Sequence, residues 1–237
     1  MPPAADGLRE RGMIWSTLLL GLLLGIKHAT EADHVVALAS LATRSPSRRD
    51  IVRMGATWGL GHALTLFAVG IVVLALGTAM PPRLALALEC VVGVVLIGLG
   101  ADLLRHAWRV RKGGGSLRAI HGHTHSTAPG AAGGKRLSLR MLLVGSVHGM
   151  AGSAALTVLA LQTIGSVPLG LAYIALFGLG SVAGMAAFSL LIALPLRSSA
   201  VRTAVAESAL HGAVGALTVA LGAWVVFNTT VLHGLLA

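Results

Sequence analysis

Ionisable side chains interrupt an otherwise apolar stretch near the start of the chain, at His28-Ala-Thr-Glu31-Ala-Asp33-His34. Residues three apart lie on the same face of an α-helix, so His28, Glu31 and His34 form one polar stripe. Lys27 precedes Glu31 by four residues and is placed to neutralise that carboxylate. Asp33 points away from the stripe on a regular helix. Either it meets a different neighbour, or the helix is unwound at this point.

Two imidazoles beside carboxylates form a candidate site for a divalent transition metal. Imidazole binds nickel, cobalt, copper and zinc, and carboxylates complete the shell or orient the rings. The alternative is a buried ion-pair network that only locks helix packing. We favour the metal site, because ionisable residues within a membrane are rare and commonly functional.

The composition places these residues in a membrane protein. The chain has 237 residues, of which 55% are hydrophobic and 11% charged, with a mean hydropathy of +0.84. Soluble domains carry roughly 25% charged residues, so water is not the expected solvent for this chain. The single cysteine, Cys90, lies in an apolar run and permits no disulfide framework. We therefore predict an all-α, polytopic membrane protein.

Six segments are long and apolar enough to span a bilayer, which needs roughly 20 residues. They are 13–42, 54–80, 84–108, 138–163, 167–195 and 204–228.

The basic residues set the predicted orientation. Fourteen of them lie in the loops after the first, third and fifth segments, and three lie on the opposite side. The positive-inside rule then puts these loops in the cytoplasm and both termini outside, in the cytoplasmic (inner) membrane. The net charge of +10 is explained by this anchoring, so no nucleic-acid partner is predicted.

Short matches between the two halves indicate an internal repeat. Gly59-Leu-Gly61 matches Gly178-Leu-Gly180, and Gly25-Ile-Lys-His28 matches Gly145-Ser-Val-His148, at offsets of 119 and 120 residues. Each repeat has three helices. Because this number is odd, the second repeat must be inverted in the membrane relative to the first, an arrangement known from transporters. We predict a first repeat over 1–109, a flexible loop over 110–137 and a second repeat over 138–237.

The repeat indicates which of the other histidines are candidate metal ligands. A lone membrane histidine more often bonds across helices than binds a metal. His148 is the repeat mate of His28, and His62 lies beside the first segment's site, so both join the candidate ligands. His211 aligns with Glu89, and we assign these two a supporting role with Lys27. His121, His123 and His125 alternate in the predicted loop, where they form either a metal-capturing segment or an ordinary polar loop.

At these positions the sequence resembles the nickel/cobalt transporter family. The run His28–His34 resembles the family signature His-Ala-x-Asp-Ala-Asp-His, and Leu60-Gly-His62 resembles its second signature. The six-segment length and Val147-His148-Gly-Met-Ala-Gly152 are similar to the small urease-accessory-type nickel permeases. Glu31 departs from the signature, because the family commonly has Asp there, and the longer side chain is expected to alter ion preference.

The resemblance implies transport of Ni²⁺, with Co²⁺ as a second substrate, and roles for His28, Asp33, His34 and His62 in selecting and passing the ion. We expect uptake, no enzymatic activity and no permanently bound cofactor. The expected partners are the metal ion, the lipid bilayer, and a metallochaperone or urease and hydrogenase maturation proteins. The histidine-containing loop is similar to that of efflux members, so export is an alternative direction.

Two other classes of function compete with transport. The first is a membrane haem protein or metalloenzyme that uses His28, His62, His148 and His211 as axial ligands. The second is an accessory subunit whose basic loop docks a partner, although that function does not explain ionisable residues in mid-membrane.

Overall fold

The computed structural model describes residues 3–42, 47–76, 81–113, 131–150, 166–196 and 204–233. Within these ranges the regular structure is helical and contains no β-strand. The all-α class predicted from composition is therefore confirmed for the described part of the chain. In chain order, its helices are α1 (Pro3–His28), α2 (Ala32–Ala42), α3 (Arg48–Leu76), α4 (Pro82–Gly113), α5 (Ala131–Gly149), α6 (Val167–Leu196) and α7 (Ala204–Phe227), which continues into a π-helical turn (Asn228–Leu232).

The described ranges contain four helices that can each cross a bilayer, at Arg48–Leu76, Pro82–Arg109, Val167–Ile192 and Ser208–Leu232. A fifth crossing requires two helices together, because Arg9–His28 and Ala32–Ala42 meet at 54° across a short break. Helices satisfy their own backbone hydrogen bonds, as a hydrocarbon environment requires. The chain is a multi-pass membrane protein. The segment predicted at 138–163 is described only as far as residue 150, so the sixth span lies partly outside the described residues.

Helix extends into both ends of the segment predicted as a loop at 110–137. α4 continues to Gly113, and α5 begins at Ala131. Arginine and lysine favour helix, and they carry α4 beyond the apolar run until the triple glycine that starts at Gly113. His121, His123 and His125 lie outside the described residues.

Glycines bring α4 and α7 into close antiparallel contact. A Cβ atom on Gly100 would lie 2.7 Å from the carbonyl oxygen of Gly215, and one on Gly222 would lie 2.6 Å from that of Gly93. Small residues of this kind let membrane helices approach until their backbones touch. These two contacts, seven residues apart on α4, fix the register of the pair.

The same kind of contact joins α1 to α6 and α5 to α3. A Cβ atom on Gly25 would overlap the carbonyl oxygen of Phe177, and one on Gly145 would overlap that of Trp58. α3 and α6 also pack along each other, so the four helices form a continuous group. α1 and α5 both end within this group, at His28 and Gly149.

Candidate metal centre

The break between α1 and α2 positions the first part of the site. The amide of Thr30 donates to the carbonyl of Lys27 at 2.9 Å, and the amide of Glu31 donates to that of His28 at 3.0 Å. These tighter hydrogen bonds end α1, and the Thr30 hydroxyl adds a second bond to the Lys27 carbonyl at 2.6 Å. The chain then turns and resumes helix at Ala32. Both alternatives left open by the sequence occur, because the helix is interrupted here and Asp33 also approaches His148 of α5.

Four imidazoles meet beside this break, each from a different helix. His28 lies on α1, His34 on α2, His62 on α3 and His148 on α5, and each side chain is at most 5% exposed. The ring centroid of His28 is 4.6 Å from that of His34 and 5.0 Å from that of His62. The ring of His34 lies 5.3 Å from both His62 and His148. We call these four residues the histidine cluster.

Two carboxylates orient the rings of the cluster. Glu31 Oε1 lies 3.0 Å from His28 Nδ1, and Asp33 Oδ1 lies 2.9 Å from His34 Nδ1. Metal-binding histidines are commonly held this way, because a carboxylate on one ring nitrogen fixes the tautomer and frees the other nitrogen for the ion. The second oxygen of Asp33 is 3.9 Å from His148 Nε2, so this carboxylate lies between two rings of the cluster.

The remaining ring nitrogens are buried without hydrogen-bond partners among the described residues. They are Nε2 of His28 and His34, and both nitrogens of His62 and His148. Buried polar atoms are nearly always paired, and leaving several unpaired in one place is costly. Nitrogens of His28, His34 and His62 lie within 4.8 Å of one another, so small movements of these rings would bring them to the metal–nitrogen distances of about 2.0–2.1 Å that one ion requires. The donor set therefore fits a transition-metal ion.

Lys27 does not take the place that the sequence predicts for it. Both Lys27 and Glu31 are in the described part of the chain, and no ion pair joins them; Glu31 contacts His28 instead. The Lys27 side chain is exposed. The break explains the difference, because the i to i+4 geometry that would pair Lys27 with Glu31 requires a helix continuous through both.

His211 and Glu89 lie apart from the cluster. His211 is buried on α7, and its ring centroid is 6.1 Å from that of His106 on α4. Glu89 is also on α4 but seventeen residues before His106, or about 25 Å along the helix. The two residues aligned by the repeat therefore lie near opposite ends of the α4–α7 pair.

The sequence is similar along nearly its whole length to a curated protein. Urease accessory protein UreH of Bacillus sp. (strain TB-90) is 32% identical over 235 residues, an alignment that covers 93% of this chain and 94% of the relative. No family model matches the chain, and no solved structure matches it. Identity of this level and coverage establishes common descent, and it agrees with the family signatures at His28–His34 and at His62. The chain belongs to the nickel/cobalt transporter family, with the urease accessory protein UreH as a relative.

Proposed function

We propose that the protein carries a divalent transition-metal ion, Ni²⁺ with Co²⁺ as a second substrate, across the cytoplasmic membrane. The observation that carries this proposal is the histidine cluster, which brings together four buried imidazoles from four helices of a multi-pass membrane protein. Among the described residues, Nε2 of His28, Nε2 of His34 and both nitrogens of His62 are buried without a hydrogen-bond partner. Nitrogen donors favour Ni²⁺, Co²⁺, Cu²⁺ and Zn²⁺ over Mg²⁺ and Ca²⁺, which prefer oxygen.

Pairs of equivalent contacts in the two halves of the chain support an alternating-access mechanism. The residues of one contact become those of the other when the offset between the two halves is added or subtracted. Adding 120 to Gly25 gives Gly145, and subtracting 119 from Phe177 gives Trp58. The close contact of Gly25 with the Phe177 carbonyl thus has its counterpart in the contact of Gly145 with the Trp58 carbonyl. Such exchanged pairs are expected of two inverted three-helix repeats, which move against each other around a site at the midplane.

A second exchanged pair strengthens this proposal. A Cβ atom on Gly180 would overlap the carbonyl oxygen of Leu22, and one on Gly61 would overlap that of Leu142. Offsets of 119 and 120 residues interconvert these two contacts as well. α1 and α5 therefore pack in equivalent ways, each ending beside the cluster.

We assign the direction of transport as uptake, with the basic loops in the cytoplasm and both termini outside. The name of the relative refers to urease assembly, and a nickel permease would supply metal to that process. The cytoplasmic partners on this assignment are a metallochaperone or the urease and hydrogenase maturation proteins. Export by the same site is the competing direction.

A haem function is disfavoured by the spacing of the cluster. Its rings approach one another to 4.6–5.3 Å between centroids, which leaves no room between them for a porphyrin. The absorption spectrum of the purified protein distinguishes the two functions, because a Soret band would identify haem and its absence is expected for a transporter.

Metal accumulation by cells tests the transport proposal. Cells with the protein should accumulate radioactive Ni²⁺ above cells without it, and His34→Ala should abolish the difference. His233→Ala is the matched control, because His233 is exposed at the end of α7. Comparison of Ni²⁺, Co²⁺ and Zn²⁺ gives the preference, and lowered rather than raised accumulation identifies export. Unchanged accumulation of all three ions contradicts the proposal.

A further inference from the structure

Two buried aromatic rings contact the histidine cluster. The ring of Trp58 lies 5.1 Å from His148 in an edge-to-face arrangement and stacks on His34 at 5.8 Å. The ring of Phe177 lies 5.5 Å from His28. Trp58 is fully buried and Phe177 is 7% exposed. The cluster is therefore in contact with an aromatic side chain at both His28 and His148.

The two aromatic residues are counterparts in the two halves of the chain. Trp58 and Phe177 differ by 119 residues, the offset that relates Gly59 to Gly178. His28 and His148 differ by 120, so the contact of Phe177 with His28 corresponds to that of Trp58 with His148. Inverted repeats place corresponding residues at opposite depths in the membrane.

Contacts between α3 and α6 give the depths of these residues. Gly59 packs on Val182, and Gly178 packs on Ala63, so the two helices run antiparallel. This register puts Phe177 level with the residue that follows Ala63. The separation of Phe177 from Trp58 along the axis is then six residues, or about 9 Å at 1.5 Å per residue.

His62 lies between these two depths, four residues beyond Trp58 on α3. Side chains on a helix lean toward its N-terminus, and α3 and α6 point in opposite directions. The rings of Trp58 and Phe177 therefore lean away from His62 toward opposite faces of the membrane. On this reasoning His62 lies between the two rings along the membrane normal.

We propose that Trp58 and Phe177 are the two gates of the ion pathway, each closing the histidine cluster toward one face of the membrane. Apolar rings exclude the water that a divalent ion needs for hydration, so a constriction of this kind blocks the ion until the ring moves. The indole N–H of Trp58 has no hydrogen-bond partner among the described residues, so no hydrogen bond there holds the ring in place. This inference rests on the proposed transport function.

Accessibility of a cysteine inside the cluster tests the proposal. Cys90→Ala removes the native thiol, and His62→Cys places a reporter between the two rings. A membrane-impermeant methanethiosulfonate reagent is applied to right-side-out and to inverted membrane vesicles. Trp58→Ala should raise the labelling rate from one face by roughly an order of magnitude, and Phe177→Ala should raise it from the opposite face.

Trp224→Ala is the matched control, because Trp224 is 58% exposed on α7. It should leave the labelling rate unchanged from both faces. If Trp58→Ala does not yield monodisperse protein, Trp58→Leu replaces it with the same expectation, since leucine keeps apolar volume without the ring. Increased labelling from the same face in both variants, or no increase in either, overturns the proposal.

Nickel binding separates this inference from the transport proposal. Radioactive Ni²⁺ binding is measured on the purified protein with native His62, with and without Trp58→Ala. If the protein with both rings binds no Ni²⁺, the transport function fails, whatever the labelling pattern. If it binds Ni²⁺ but the labelling has no opposite sidedness, only the gates fail.

Discussion

The carboxylate of Asp33 lies 2.9 Å from Nδ1 of His34, its neighbour in sequence, and 3.9 Å from Nε2 of His148, which belongs to the other half of the chain. One side chain thus touches both halves of the histidine cluster. The break before α2 changes the position of Asp33 relative to His28 on α1, whereas Asp33 and His34 are neighbours within α2.

Asp33→Asn should weaken Ni²⁺ binding by about 10–100-fold, the usual effect of removing a carboxylate that orients a metal-binding imidazole. The amide keeps the size of the side chain but not the charge that holds His34 in one tautomer. Competition with a chromophoric chelator measures the dissociation constant of the purified variant. An unchanged constant would show that Asp33 does not orient His34.

Glu31→Gln should weaken Ni²⁺ binding less than Asp33→Asn does. Glu31 contacts His28 at 3.0 Å, but its side chain is 53% exposed compared with 29% for Asp33. Solvent can replace part of an exposed interaction. The same chelator competition ranks the two variants, and a larger loss for Glu31→Gln than for Asp33→Asn would contradict the expected order.

His148→Ala should lower Ni²⁺ affinity, whereas His211→Ala should leave it within error of the native value. Both histidines are buried in membrane helices, but His148 contacts His34 in the cluster and His211 contacts His106 on α4. Equilibrium binding of radioactive Ni²⁺ compares the two variants. Equal losses would mean that the site extends to the α4–α7 pair.

Gly25→Ala should destabilise the protein by about 1–3 kcal/mol, the range for overpacked cores, because the added Cβ would overlap a backbone carbonyl. Gly98→Ala is the control, since a Cβ there meets nothing within 4 Å and alanine is the better helix former. In thermal unfolding measured in detergent, only Gly25→Ala should have a lower midpoint temperature than the native protein. A lowered midpoint for Gly98→Ala as well would point to a general effect of removing glycine.

Ser40 and Thr218 should show a coupling of about 0.6 kcal/mol, typical of hydrogen bonds between membrane helices. Their hydroxyl oxygens lie 2.9 Å apart and are buried between α2 and α7. A double-mutant cycle with Ser40→Ala and Thr218→Val, read by denaturant unfolding, measures the coupling free energy. Strict additivity would show that this contact does not hold α2 to α7.

The apolar segments, and the ionisable residues that interrupt them, predict the helical membrane fold and part of the candidate site. Composition indicates the membrane class, and the His28–His34 run points to the family that the similarity to UreH establishes. The position of the break is not predictable from local signals, because Ala29, Thr30 and Glu31 include neither proline nor glycine. The Thr30 hydroxyl bonds back to the Lys27 carbonyl at the break, but threonine makes contacts of this kind within uninterrupted helices too, so its presence does not mark the position.

The same limit explains the residues that sequence reasoning misses or misplaces. Pairing of Lys27 with Glu31 is expected only if both lie on one straight helix. Trp58 precedes His62 by four residues, on the same face of α3, and that spacing could have marked it as a neighbour of the site. Phe177 carries no such signal, and only its correspondence to Trp58 identifies it.

The glycine contacts of α1 with α6 and of α5 with α3 have a consequence for the positions of the histidines. At Gly25 and Gly145 the helices approach until the backbone of one lies against a backbone carbonyl of the other. The helices that end at His28 and at Gly149 are thus held as close to α6 and α3 as two helices can lie. A larger residue at Gly25 or Gly145 would shift His28 or His148 relative to the other rings of the cluster.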